Sequence, residues 1–292
     1  MFQENNTSLA LACASGSFKT TFVHGVLSAF EQAEIRADAY AAASGSVVPA
    51  AWAAIGQVNE LGIDYWLTGL ELLNTGSSLS QTVKEGITRF QKTICDRLFL
   101  PSSPNFFVAT SAVITPEAAE QTQGKQGKRL GRRLLVSAGK KDRNWANQHL
   151  RLDLFSNTAD NNALHLNANN FHEVAYASTR MLHAWDIPAW IAGKPYVDAS
   201  YTCMCPAVEM VERGYQQVIA IATEPETLYR DMFQLEPIPI EHQKVPIHII
   251  QPDVDPKELG VDFTKASEAG LKEVYRQGQQ KGHEFISRWK TL

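Results

Sequence analysis

Short apolar runs of strand length alternate with stretches of helical period along the chain. The runs at 8–13, 37–43, 106–114, 150–155, 217–222 and 246–250 lack strict polar alternation, as strands covered by helices on both faces do. Between the first two, Phe22, Val23, Val26, Leu27 and Phe30 recur at helical spacing, and after the second Val47, Val48, Ala51, Trp52 and Ile55 do the same. Strand, loop and helix repeated in this order predict a parallel α/β sheet. Residues 61–73, with Tyr65, Trp66, Leu67 and Leu70, read as a further helix ending in the polar turn 74–80. The stretch 264–292 reads as a closing amphipathic helix.

Composition agrees with a folded chain. Of 292 residues, 44% are hydrophobic and 20% charged, enough apolar side chain to bury a sizeable core. A net charge of −4 argues against general nucleic-acid binding, which needs a positive field. The most apolar stretch, 37–55, is mostly alanine and contains Asp38, Ser44, Ser46 and Pro49, whereas a membrane span needs about 20 strongly apolar residues. The opening MFQENNTSLA lacks a basic n-region and a long apolar run, so the expected location is cytoplasmic. In that setting Cys13, Cys95, Cys203 and Cys205 read as reduced thiols. No second Cys or His pair completes a zinc site beside Cys203 and Cys205, so no metal and no cofactor are expected.

One segment departs from the average charge. Residues 121–143 carry Lys125, Lys128, Arg129, Arg132, Arg133, Lys140, Lys141 and Arg143 against one acid, Asp142. Such a run is either a solvated loop or a patch that meets an anionic surface such as phospholipid, the second implying peripheral contact with a membrane.

Candidate chemistry sits at three strand ends. Ser44 follows the small-residue strand 37–43 and precedes a helix, with Ala42, Ala43, Gly45 and Ser46 as neighbours. That is the arrangement of a nucleophile elbow, where bulky neighbours would strike the strand or helix; an ordinary strand-to-helix turn is the plainer alternative. Upstream, Ser15-Gly16-Ser17-Phe18-Lys19-Thr20 links a strand to a helix through small residues that let backbone N–H groups approach a ligand. Phe18 stands where a phosphate-binding P-loop needs glycine. Downstream, the short strand 194–197 ends at Asp198, an acid that equally suits a turn or a helix cap.

In this order the three segments resemble the patatin-like phospholipases. Ser15–Thr20 followed by Gly25-Val26-Leu27 is similar to the family's G-G-G-x-R-G loop and G-V-L, Ala42–Ser46 to its G-T-S-A-G, and Asp198-Ala199-Ser200 to its D-G-G or D-G-A. Ala177-Ser178-Thr179 with Ile187-Pro188 and Pro206-Ala207-Val208 extend the likeness over most of the chain. The resemblance implies a single patatin-like domain over 1–292, a three-layer α/β/α sandwich with a mainly parallel sheet. It implies a serine lipid acyl hydrolase whose substrate is a lipid or other acyl ester, with Ser44 as nucleophile and Asp198 as its base. It assigns the oxyanion donors to Gly16, Ser17 and Gly45. Lys19 would organise the loop or contact an anionic head group, and Trp185, Ile187 and Trp190 would line the acyl pocket or pack in the core.

Five glycines of the family pattern are replaced, at Ser15, Ser17, Ala42, Ser46 and Ala199. This keeps open a second reading, a catalytically silent domain of the same fold that binds lipid or a partner protein. A third is an α/β-hydrolase triad that adds His242 or His248 to the pair.

Overall fold

The computed structural model describes residues 7–158 and 162–289. Its strands are β1 (Leu9–Cys13), β2 (Ala39–Ala43), β3 (Asn105–Val113), β4 (Leu150–Ser156), β5 (Leu164–His165), β6 (Ala189–Ile191), β7 (Lys194–Val197), β8 (Gln217–Ile221), β9 (Glu241–His242) and β10 (Val245–Ile250). The helices are α1 (Thr21–Gln32), α2 (Val47–Ala54), α3 (Val58–Leu61), α4 (Asp64–Asn74), α5 (Leu79–Leu98), α6 (Pro116–Gln123), α7 (Gly127–Gly139), α8 (Asn144–His149), α9 (Phe171–Thr179), α10 (Ala207–Glu212) and α11 (Glu268–Trp289).

The sheet runs β5-β4-β3-β2-β1-β8-β10-β9, with β6 and β7 joined to it through β3. β2, β1, β8 and β10 are parallel neighbours, as are β2 and β3, while β4 and β7 lie antiparallel to β3. The protein is therefore of the α/β class, with a mostly parallel sheet flanked by helices. Alternation within the central strands divides the core. Leu9, Leu11, Cys13, Tyr40 and Ala42 join one cluster, with Phe22, Val26, Trp52 and Leu271 from the helices. Ala10, Ala12, Ala39 and Ala41 face the other way, onto Val208, Met210 and Val211 of α10. A strand covered on both faces has no polar side to show, which is why these runs read as continuously apolar.

Two features of this sheet position the site. β2 runs along one edge of β3 and stops with Ala43 opposite Ala109, whereas β7 runs the other way along the same edge and stops with Val197 opposite Ser111. The two strands point at each other. Whatever residues follow Ala43 and Val197 must meet in the gap between them.

Of the two readings of the basic segment, the loop is corrected: most of it is helical, in α6 and α7. Leu130 and Leu134 of α7 are buried together with Leu182, Val197 and Phe233. This four-residue spacing brings both side chains onto one face and turns the arginines outward. The helix expected over 61–73 begins at Asp64, because Gly62 takes a positive φ of 56° that closes the turn before it. In the closing helix, residues 290–292 lie outside the described residues, as do the opening residues 1–6. No helix among the described residues is long and apolar enough to cross a membrane.

Candidate active site

Ser44 holds a φ of 54° immediately after β2. A left-handed conformation costs a residue with a Cβ on the order of 1–3 kcal/mol unless the surroundings hold it. Here they do. The Ser44 amide donates to Oγ of Ser178 at 2.8 Å, and that hydroxyl donates to the carbonyl of Ala109 at 2.7 Å, pinning the turn to β3 through α9. Two residues on, the Ser46 hydroxyl donates to the carbonyl of Ala14 at 2.6 Å, tying the same turn to the end of β1. α2 then leads away, its first turn accommodating Pro49.

Gly45 is where the elbow and the loop after β1 touch. A Cβ on it would lie 2.8 Å from Oγ1 of Thr20 and 2.9 Å from the carbonyl oxygen of Ser17, so a larger residue enters only by pushing them apart. Ser17 itself has a φ of 49°, and the short turn Ser17–Thr20 feeds directly into α1. Amides that open a helical turn have no carbonyl one turn earlier to bond to, and Ser17 at the head of this turn is such a residue.

Asp198 occupies the other side of the gap. Its carboxylate is divided between two serines: Oδ2 accepts from the Ser44 hydroxyl at 2.8 Å, and Oδ1 accepts from the amide and hydroxyl of Ser200 at 2.8 and 2.6 Å. Its carbonyl accepts from the Ser111 hydroxyl of β3 at 2.7 Å. Asp198 is 1% exposed, and burial lifts its carboxyl to about 6 against the opposing hydrogen bonds from Ser200 and Ser44. A carboxylic acid that titrates near neutrality, bonded to a hydroxyl, can accept that hydroxyl's proton more readily than an ordinary carboxylate.

Two clefts open beside Ser44. The first is walled by apolar side chains of α2, α4 and α5, among them Val48, Leu72, Val83 and Ile87. Its wall is braced by His24, whose Nδ1 accepts from Trp66 Nε1 at 3.0 Å while Nε2 faces the carbonyl of Val58 at 3.2 Å. Burial holds this histidine down at about 4, so it stays neutral in that brace. The second cleft is lined by Gly16, Ser17, Asp198 and Ser200 and also by Leu135, His183 and Phe263. Ser17, Ser44 and Trp185 border both clefts.

Ser44, Asp198, Gly16, Ser17 and Gly45 are thus gathered at one place. Lys19 is not available to a ligand's head group: it is buried, and its ammonium bonds Glu224 at 2.6 Å and Asp255 at 2.9 Å. Burial alone would lower its pKa, but those two carboxylates raise it above the usual lysine range. Of its two expected roles, its contacts are those of a loop organiser. Trp185 is both core and cleft wall, and its buried indole N–H finds no acceptor among the described residues. Ile187 is engaged through its carbonyl by Tyr176 and Arg180, and Trp190 is 46% exposed; neither lines the two clefts. His242 and His248 sit on β9 and β10 at the far edge of the sheet, and Ser44 bonds Asp198 directly rather than through an imidazole.

No protein-family model matches the chain, and no curated protein matches its sequence. Solved structures do match. Human GIVD cytosolic phospholipase A2 aligns with 99% of this chain and 60% of its own, at a TM-score of 0.52 and 8% identity. VipD from Legionella pneumophila aligns with 97% of this chain and 67% of its own, at a TM-score of 0.47 and 11% identity. The chain spans about three-fifths of the length of the human phospholipase chain, and the likeness between the two is one of fold.

Proposed function

We propose that the protein is a serine acyl hydrolase of patatin-like fold that cleaves carboxylic esters of lipids with a Ser44–Asp198 dyad. The observation that carries the reading is the 2.8 Å hydrogen bond from the Ser44 hydroxyl to a buried, otherwise fully bonded carboxylate, made by a serine held at positive φ. As Ser44 Oγ attacks the ester carbonyl, its proton passes to Asp198 Oδ2 and the carbonyl becomes an oxyanion facing the amides of Gly16, Ser17 and Gly45. Collapse breaks the bond to the leaving alkoxide, which takes the proton from Asp198. Water then gives its proton to Asp198 and attacks the acyl-enzyme, releasing the fatty acid and returning the proton to Ser44.

The clefts supply the selection. The apolar one suits a hydrocarbon chain, since apolar walls with few polar groups are what acyl burial requires. The outer one, lined by Ser15, His183 and Ser200, suits the alcohol portion of the ester. Ser17 reaches a left-handed conformation although it carries a Cβ, so a serine in place of the family glycine does not bar that backbone. This favours the active reading over the silent one.

A fluorophosphonate probe tests the assignment. It should label the wild type and fail to label Ser44→Ala, while Asp198→Asn labels at least a hundredfold more slowly. Lipid profiling of products from wild type and Ser44→Ala would then identify the ester cleaved. A folded wild type that takes no label would refute the proposal.

A further inference from the structure

α7 is the most charge-asymmetric element of an otherwise acidic protein. Residues 124–141 contain seven cationic side chains and no acid. Lys128, Arg129, Arg132 and Arg133 are all exposed, and none takes part in an ion pair among the described residues. At 100° per residue, Leu130, Gly131 and Leu134 share the buried face, and Val136 stands near the middle of the outward one between Arg129 and Arg132. Val136 is 59% exposed and Leu135 40%. Large apolar side chains set among unpaired arginines give little to a merely solvated surface, but they match a surface that is anionic outside and apolar beneath.

The position of the helix gives that face a purpose. Leu135 lines the cleft that borders Ser44 and Asp198, and Phe263, 41% exposed, lines the same cleft. The cleft wall at Leu182–His183 packs directly on the helix: a Cβ on Gly131 would lie 2.3 Å from the amide nitrogen of His183. Burial and then the charge of Arg132 hold His183 below the usual histidine range, so the positive field extends into the opening. A surface bound by α7 would lie against the entrance of the site.

We propose that α7 is a docking helix for an anionic phospholipid bilayer, its arginines meeting the head-group phosphates and Leu135 and Val136 dipping below them. Its functional purpose rests on the hydrolase reading, but the binding itself needs no catalysis. The experiment therefore uses Ser44→Ala protein and measures co-sedimentation with vesicles of phosphatidylcholine, with and without phosphatidylserine. The protein should bind the phosphatidylserine vesicles, leave the pure phosphatidylcholine ones, and dissociate in high salt. Arg129→Gln/Arg133→Gln, on the flank away from the cleft, should weaken partitioning about thirtyfold, and Val136→Asp should weaken it without removing a cation. Made again with Ser44 intact, both variants should hydrolyse a soluble short-chain ester as fast as the unsubstituted protein. Equal binding to both vesicle types, or unchanged binding by the double variant, overturns the proposal. Tighter capture by a soluble polyglutamate than by vesicles also overturns it, and assigns the face to an acidic protein instead.

Discussion

Ser200 spends both of its hydrogen-bond donors, amide and hydroxyl, on the Oδ1 atom of Asp198. The carboxylate is thereby held with one oxygen satisfied and the other turned to Ser44, and the same two bonds oppose the rise that burial imposes on its pKa. Replacing Ser200 by alanine removes the 2.6 Å bond and keeps the amide. The carboxyl should then titrate higher still, and the acid limb of the rate profile should move to more alkaline pH. An acid limb that stays in place would show that Ser200 does not act on the base.

The wild-type profile follows from the same group. Asp198 accepts a proton only when ionised, so activity should fall as pH drops through about 6. Stability runs in the opposite direction. Because the folded carboxyl lies above its unfolded value of 3.8, the native state holds the proton more tightly, and stability is lost as pH rises from near 4 through 6. Asp198→Asn should therefore be inactive yet more stable than wild type at pH 8, by about 2–3 kcal/mol. That advantage should shrink as pH falls toward 4. Thermal melts at the two pH values measure it.

Gly45→Ala should separate the elbow from the loop after β1. Its new methyl group would press on the Ser17 carbonyl and the Thr20 hydroxyl, an overlap of the kind that costs about 1–3 kcal/mol. We expect a folded protein with probe labelling reduced at least tenfold. Labelling at the wild-type rate would mean that the two segments need not touch.

The apolar cleft makes a size prediction. Gly86 on α5 borders it, and an added Cβ would meet only the edge of Tyr65 at 3.7 Å. Gly86→Ala should raise stability by up to about 1 kcal/mol through helix propensity alone. Gly86→Leu should fill the space and shift preference toward shorter acyl chains, read from rates on a series of esters of increasing length.

For Lys19, the structure separates two outcomes. Lys19→Met leaves Glu224 and Asp255 without their shared cation, and both carboxylates are about one-third exposed, so the expected loss is modest, about 1–2 kcal/mol. Selectivity between anionic and neutral esters should not change, because the ammonium is already occupied. A change in head-group preference without loss of stability would return the residue to substrate binding.

Much of the fold was legible because its strands are buried on both faces. The six apolar runs match β1, β2, β3, β4, β8 and β10 to within two residues, since continuous Ala, Val, Leu and Ile need no alternation where helices cover both sides. α5 leaves no such pattern in the sequence. Ile87, Ile94 and Leu98 are its only deeply buried apolar side chains, too sparse for a periodic signal, and the mark that betrays it is the capping box of Ser78 and Gln81. In α7 the high density of charge masked the regular spacing of Leu130 and Leu134. β5, β6 and β9 are two or three residues long and exist only because a partner strand is there.

Around the site, small residues at strand ends announced Ser44 and Asp198, whereas their supports were silent. Ser111, Ser178 and Ser200 are fully or nearly buried, and a buried serine looks in sequence like any surface serine until its partners are known.

The meeting of β2 and β7 end to end has a consequence for how this molecule tolerates change. Asp198 lies 154 positions beyond Ser44, but the spacing between them is measured on β3, from Ala109 to Ser111. Loops and helices in the intervening chain, α9 with Ser178 excepted, can lengthen, shorten or be exchanged without disturbing that interval. A single residue inserted between Ala109 and Ser111 would be another matter: it would drive hydroxyl and carboxylate apart by one rung of the ladder, about 3.3 Å, beyond the reach of a proton.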